Sequence, residues 1–363
     1  MDTIFATASG SKKSAIKIIR ISGGKIDLLP KVFSFKPTQP RVASLRKIYD
    51  LEKRIIDNAL IIYFPGPNTV TGEDVMEFHF HGSSLIEKKI YDVLTNIKGY
   101  RIAYRGEFTK RAFVNGILDL TQAEGLNDLI NSETESQFNL SMLQYEGALS
   151  KKIQTWRIEV VNLLSKLEAL IDFSDEELPK TLEEKFKLRA QKILNEMKKS
   201  IKNSNYGERI RNGFLITLIG RPNVGKSSLI NYLSERKVAI VTSEAGTTRD
   251  ILEVTMDFEG FPVILNDTAG IRSARSEIEK IGIERALEKA KISDLILVLS
   301  DNEDFSYPKV ETIGKKILVH TKSDLGTVSK KNIYNISVKK NLGIEELIKV
   351  IVNHLSDLNP KED

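Results

Sequence analysis

Residues 220–228 read GRPNVGKSS and follow the apolar run FLITLI at 214–219, and this pairing constrains the chain more than any other stretch. The nonapeptide fits G-x-x-x-x-G-K-[ST] in the setting that gives the pattern meaning, after a strand and at the opening of a helix. Phe214, Leu215, Ile216, Leu218 and Ile219 predict a buried parallel strand, and residues 228–233 predict the start of a helix. Glycine lets the backbone wrap a phosphate chain, so that amide N–H groups and the helix N-terminus face negative charge. On this reading Asn223, Val224, Gly225, Lys226, Ser227 and Ser228 hold the phosphates. Lys226 supplies the cation to the β- and γ-phosphates, and the Ser227 hydroxyl is a Mg²⁺ ligand. A mere turn between strand and helix has no need of Lys-Ser. The chain is expected to bind a nucleoside triphosphate.

The nucleotide segment, read as residues 211–363, alternates β and α patterns. Strands are expected at 252–258, 262–266, 295–299, 316–319 and 333–336, and helices at 281–291 and 344–355. That order predicts a doubly wound α/β sheet. The connections at 301–315 and 325–332 are short enough for one helix to be trimmed or absent. Residues 1–118 instead predict a small α+β domain: AIKIIRI stops at Ser-Gly-Gly, NALIIYF at Pro-Gly-Pro-Asn, and VMEFHF at His81-Gly82, before helical spacing at 83–94. His79 and His81 share a strand face without a visible third ligand, which favours hydrogen-bonding roles over a metal.

Residues 119–210 predict an α-helical middle domain. Ala123, Leu126, Leu129, Ile130, Leu140, Leu143, Leu149, Ile153, Trp156, Val160, Leu163, Leu164, Leu167 and Leu170 fit one helix face, uninterrupted by proline. IDFSD at 171–175 breaks the run, and a second helix carries Leu182, Phe186, Ala190, Leu194, Met197 and Ile201 on a stripe. Its cations Lys185, Lys187, Arg189, Lys192, Lys198 and Lys199 read as a solvated surface before an RNA contact. The polar stretch 203–212, with Gly207, is expected to be a linker.

Composition narrows the class further. A chain of 363 residues has room for two or three cores, and the absence of cysteine excludes disulfides, thiolate metal sites and a catalytic thiol. This is compatible with a reducing cytoplasm, the expected location. No apolar run is long enough for a bilayer, and MDTIFATASG lacks a signal peptide's basic and apolar regions, so no membrane association is expected. A net charge of +5 permits an acidic partner such as RNA without requiring one.

Four further motifs stand in the order a GTPase needs. Asp267-Thr268-Ala269-Gly270 ends a predicted strand, which suits a carboxylate near Mg²⁺ and a glycine amide near the γ-phosphate. Thr247-Thr248-Arg249-Asp250 lies in a loop whose threonine reaches the metal only while γ-phosphate is present, an order–disorder switch. Thr321-Lys322-Ser323-Asp324 follows another strand. The Asp324 carboxylate can accept hydrogen bonds from guanine N1–H and N2–H₂, which adenine does not offer, while Lys322 lies over the base. Ser337-Val338-Lys339 can present amides to guanine O6. Five motifs in order specify GTP over ATP. Ile271 stands where a water-orienting glutamine is usual, so another group must orient the water. Arg249 and Arg272 are nearby, but a switch-loop arginine is more often exposed or paired than a finger.

The chain resembles the MnmE (TrmE) family of tRNA-modifying, potassium-dependent GTPases. The matching stretches are IIRISGG at 18–24, FPGPNTVTGEDVMEFHFHG at 64–82, RGEFTKRAFVNGILDLTQAEGLNDLI at 105–130, IDFSDEE at 171–177, EAGTTRD at 244–250, DTAGIR at 267–272 and IEKIGIERA at 278–286. The resemblance implies K⁺ held by Asn223, Thr242, Thr247 and the Glu244 carbonyl, in the place of an arginine finger. It implies Mg²⁺ on Ser227 and Thr248, and catalytic roles for Lys226, Thr248 and the water-orienting Glu279. It further implies a homodimer through the N-terminal domain, with a 5-formyl- or methylene-tetrahydrofolate contacted by Arg20 and Glu77. The implied partners are tRNA and an MnmG-type flavoprotein, and the implied product is a tRNA modified on its wobble uridine. Three departures stand out. The family's C-terminal helices and Cys-x-Gly-Lys tail have no counterpart before Asp363, Ile117 replaces a folate-associated lysine, and Thr321 replaces the usual asparagine. The expectation is therefore a GTPase with a weakened folate site. The alternatives are a GTP switch without modification activity or a ribosome-assembly GTPase.

Overall fold

The computed structural model describes residues 2–10, 13–172, 180–221, 223–235, 253–267, 288, 290–305 and 314–358. The chain divides into two units, residues 1–123 and 124–363.

The first unit is built on β1 (Thr3–Thr7), β2 (Ile16–Ser22), β3 (Ser44–Tyr49), β4 (Ile55–Phe64), β5 (Val75–His81) and β6 (Tyr100–Ile102), in the order β3-β4-β5-β2-β1-β6. The alternation read from the sequence decides its faces. Met76, Phe78 and Phe80 point into a core with Phe5, Ile19, Ile21 and Phe33, while Glu77, His79 and His81 take the other side of β5. Helix α1 (Leu29–Val32) is a single turn that contributes Leu29. Helix α2 (Ser84–Thr95) starts where the Ser83 hydroxyl accepts the Leu85 amide at 3.2 Å and packs through Ile90, Val93 and Leu94. Helix α3 (Glu107–Val114) is anchored by Arg111, which pairs with Asp2, Glu73 and Glu107.

The apolar run from Leu120 to Leu170 is not one helix. It forms α4 (Leu120–Ile130), α5 (Glu135–Tyr145) and α6 (Ala148–Asp172). A capping box opens α5: the Thr134 hydroxyl accepts the Gln137 amide at 3.4 Å while the Gln137 side chain accepts the Thr134 amide at 3.2 Å. Gly147, at φ +80, separates α5 from α6. The shared apolar face is largely uncovered: Leu163 is buried, but Leu143, Val160, Leu164 and Leu167 are exposed.

Residues 203–212, expected to be a linker, are the last turns of α7 (Lys180–Asn212). Packing overrides the polar composition here. Ile210 is buried in the nucleotide core and Tyr206 lies against it, its ring centroid 5.9 Å from that of Phe214. Arg209 pairs with Asp294 at 2.7 Å, and Gly213, at φ +94, ends the helix.

The nucleotide sheet is β12-β11-β10-β7-β9-β8. Its strands are β7 (Phe214–Gly220), β8 (Glu253–Phe258), β9 (Phe261–Asp267), β10 (Leu295–Ser300), β11 (Lys315–His320) and β12 (Ile333–Asn335), each end within one residue of its expected place. All neighbours run parallel except the β8–β9 hairpin. Helices α8 (Lys226–Leu233) and α9 (Ile344–Asp357) bury Leu229, Ile230, Leu233, Ile344, Leu347, Ile351 and Leu355 against Phe214, Ile216 and Leu218. The hairpin turn is clasped by α5: both the Ser136 amide (3.1 Å) and its hydroxyl (2.6 Å) donate to the Gly260 carbonyl. Residues 325–332 carry no helix, while most of the helix expected at 281–291 lies outside the described residues. Among the described residues no helix is long and apolar enough to cross a membrane.

Candidate nucleotide site

The phosphate loop leaves β7 at a point of close backbone approach. A Cβ on Gly220 would lie 2.4 Å from the Leu299 carbonyl oxygen of β10, so only glycine fits. Asn223 (φ +61) and Gly225 (φ +103) take left-handed conformations that turn the chain back onto α8. Gly225 caps α8 and, lacking a side chain, makes no side-chain cap bond of its own to the N-terminal amides. Lys226, the first helical residue, is 6% exposed and folds back over the loop. Its Nζ donates to the carbonyls of Gly220 (2.7 Å) and Arg221 (3.0 Å), which holds a cation at the mouth of the amide cradle. Val224 is buried, while Asn223, Ser227 and Ser228 are exposed beside it.

The tetrapeptide Thr321-Lys322-Ser323-Asp324 is tied to this loop by one side chain. Thr321 is buried at the end of β11; its amide donates to the Ser300 carbonyl at 2.8 Å and its hydroxyl to the Val224 carbonyl at 2.7 Å. The threonine thus joins the base loop to the phosphate loop. Asp324 accepts the Ser337 hydroxyl at 2.6 Å. That bond, together with the charges of Lys339 and Lys340, holds its carboxyl below the usual carboxylate range and keeps it ionised at neutral pH. The Ser323 amide donates to the Ile336 carbonyl, and Ser337 pairs through its backbone with Leu342 on both sides. Gly343 must be glycine: its φ is +70, and a Cβ would meet the Asn335 carbonyl oxygen at 2.1 Å. Val338 packs on the nucleotide core. The backbone of Asp267 ends β9 opposite Leu218 of β7.

In the first unit Arg20 and Glu77 are register partners on β2 and β5, with Nε and Oε1 2.8 Å apart. The Arg20 guanidinium lies 6.0 Å from the Phe108 ring centroid. His79 Nε2 is 3.2 Å from Glu77 Oε2, and His81 Nδ1 is 2.8 Å from Asp57 Oδ1. Both histidines are hydrogen-bonded, and among the described residues no three His, Asp or Glu side chains cluster as a metal site. Ile117 lies beside Gly72 and is 40% exposed.

Residues 3–117 match the family described as GTP-binding protein TrmE N-terminus, and residues 120–363 match the MnmE helical domain. The chain belongs to the MnmE (TrmE) family. It is 40% identical to the tRNA modification GTPase MnmE of Dinoroseobacter shibae, over 98% of this chain and 82% of that protein. It is also 40% identical to the protein of the same name from Rickettsia rickettsii, over 97% and 83% of the two chains. The Anaplasma marginale protein of that name is 39% identical, over 99% and 84%. A solved G domain of the T. maritima FeoB iron transporter aligns with 39% of this chain and 98% of its own at 27% identity, with a TM-score of 0.30, from which nothing further follows.

In this MnmE-family chain the described residues bring together Asn223 to Ser228, Thr321, Lys322, Asp324, Ser337 and Val338 around the ends of β7, β11 and β12. Thr242, Glu244, Thr247, Thr248, Thr268, Ala269, Gly270 and Glu279 lie outside the described residues, as do Arg249, Ile271 and Arg272. Sequence reasoning missed the carboxylates after β10. Asp301 pairs with Lys322 at 2.7 Å and Asp304 with Arg221 at 2.6 Å. The only signal was an acidic turn, DNED at 301–304, directly after an apolar strand, and such turns are ordinarily solvated.

Proposed function

We propose that this chain is a tRNA-modification GTPase. It binds GTP at residues 223–228 and 267–270 and at Thr242, Thr247, Thr248, Thr321, Lys322, Asp324, Ser337 and Val338, and it hydrolyses GTP to GDP and phosphate. The division 1–118, 119–210 and 211–363 then corresponds to a dimerisation and folate domain, a helical domain and a GTPase domain. The observation that carries the reading is the Thr321–Val224 bond, which holds the loop fitted to guanine against the loop fitted to phosphates. Lys226 neutralises the phosphates, and Asp324 accepts from the guanine edge. Oxygen donors on Ser227 and Thr248 suit Mg²⁺, which would polarise the phosphate oxygens. Asn223, Thr242, Thr247 and the Glu244 carbonyl are an oxygen set fitted to K⁺, which would supply the charge of an arginine finger. Glu279 orients the attacking water.

In the same reading the N-terminal unit pairs with a second copy and holds a formyl- or methylene-tetrahydrofolate at Arg20 and Glu77. With an MnmG-type flavoprotein in the cytoplasm, the one-carbon unit reaches C5 of a wobble uridine in tRNA. Mass spectrometry of wobble uridines from cells lacking the gene tests this directly, since the modified nucleoside is expected to vanish. Unchanged modification would instead favour a GTP switch without folate chemistry, to which Ile117 lends weight. Ile117 removes a cation from the side where folate's acidic tail would lie. Calorimetry with a formyl-tetrahydrofolate is expected to give binding roughly two- to fivefold weaker than in a relative that carries lysine there. Equal affinity would show that this cation contributes nothing.

Replacing Asp324 with Asn should weaken GTP binding by about tenfold or more and erode the preference for GTP over ATP. An amide cannot accept both hydrogen bonds from the base. Competition between the two nucleotides in a fluorescence titration reads this out. An unchanged preference would remove Asp324 from the base.

A further inference from the structure

The base-reading loop contains an internal hazard. Lys322 and Asp324 are two residues apart, carry opposite charges and are both needed by the purine. Asp324 reads guanine only while its carboxylate is open, and an unanchored ammonium on the same short loop would pair with it. The structure gives Lys322 a different partner. Its Nζ donates to Asp301 Oδ2 at 2.7 Å, across from the loop after β10. Its backbone, at φ +56, takes a conformation uncommon for a residue with a side chain.

The loop that supplies Asp301 is itself braced. Buried Ser300 places its hydroxyl 2.9 Å from Asn302 Oδ1 and 2.8 Å from the Asp304 carbonyl, and Asn302 Oδ1 accepts the Asp304 amide at 2.9 Å. The Ser300 carbonyl in turn accepts the amide of Thr321, the residue before Lys322. Three carboxylates of this turn each take a cation, one from the phosphate loop and two from the β11–β12 connection. Asp304 takes Arg221 of the phosphate loop, Asp301 takes Lys322, and Glu303 takes Lys330 at 2.7 Å from the β11–β12 connection. Asp301 is therefore fixed relative to the phosphate loop and the base loop together. The hydrogen bond from the Lys322 ammonium holds the Asp301 carboxyl below its ordinary range.

We propose that Asp301 is a positioning residue for guanine recognition, holding the Lys322 ammonium away from Asp324 so that the lysine's methylene stem faces the purine. The proposal rests on the guanine-nucleotide reading above and extends it to a residue outside the recognition tetrapeptide. It carries an unusual sign. Removing a carboxylate beside the site of a polyanion should tighten binding by electrostatics alone, whereas removing this one should loosen it.

GDP titrated fluorimetrically into the full chain tests this. Asp301→Ala and the nearly isosteric Asp301→Asn are each expected to raise Kd roughly fivefold, with kcat at saturating GTP changed less than about twofold. Asp301→Glu should recover most of the loss. In a Lys322→Met background the Asp301 substitutions should change Kd by less than about twofold, because the pair acts as a unit. Tighter or unchanged binding in the single variants overturns the proposal, and so does an equal loss in both backgrounds, which would mark a role in general loop stability. A wild-type chain that fails to bind GDP overturns the nucleotide reading and this proposal with it. Wild-type binding with no coupling overturns this proposal alone.

Discussion

Alanine at Glu279 is expected to slow GTP hydrolysis by roughly 10²–10⁴-fold while GTP affinity stays within about threefold. The residue in the usual water-orienting position cannot do the work. Ile271 follows the DTAG segment where a glutamine would orient the attacking water, and an isoleucine offers that water neither a donor nor an acceptor. Glu279 lies eight residues further on, in the IEKIGIERA stretch that matches the family, and its carboxylate can accept a proton from water. A group that acts on the nucleophile stabilises the transition state and leaves ground-state binding nearly untouched, so kcat should fall and Kd should not. Single-turnover hydrolysis beside equilibrium nucleotide binding separates the two. Near-normal turnover in Glu279→Ala would move the role to Arg249 or Arg272.

Exchanging K⁺ for Na⁺ should reduce turnover at least tenfold, again with little effect on binding. A charge that substitutes for an arginine finger acts on the transition state, where such fingers contribute about 10³–10⁵-fold. Asn223 is the described member of the expected oxygen set, exposed and in a left-handed conformation at φ +61. That conformation complicates the obvious variant, because alanine there adds backbone strain of about 1–2 kcal/mol. Asn223→Gly removes the amide without the strain. Turnover that is insensitive to the choice of cation in both Asn223→Ala and Asn223→Gly would assign the K⁺ effect to the side chain. Wild-type turnover equal in the two salts would refute the potassium site altogether.

Much of the nucleotide domain was legible because its signals are local. An apolar run closed by Gly220 and followed by Lys-Ser permits few conformations, and the strands of this sheet are short apolar runs with plain stops. The loops that carry Asp324 and Ser337 were placed by the same kind of signal, since each follows a strand within a few residues. The bond from Thr321 to Val224 was not, because the sequence shows the departure from asparagine but not that a hydroxyl there reaches 2.7 Å to the phosphate loop. Asp301 was invisible for a related reason: its pairing with Lys322 joins the segments after β10 and β11, which only the fold brings together. The helical segment was misread in two ways. Thr134 and Gln137 carry the spacing of a capping box, so the break before α5 was available in the sequence and was overlooked. The polar stretch at 203–212, by contrast, is helical through the packing of Tyr206 and Ile210 on residues brought near only by the fold.

The Ser136 clasp on Gly260 couples two parts of the chain that the sequence presents as unrelated. The β8–β9 hairpin is the stretch of chain between the segment bearing Thr247 and Thr248 and Asp267. Two hydrogen bonds, each worth about 0.5–1.5 kcal/mol, join its turn to the first residues of α5. Such linkage has no direction. Whatever free energy a displaced hairpin would transmit to α5 through this clasp, a displaced α5 would return to the hairpin in equal measure.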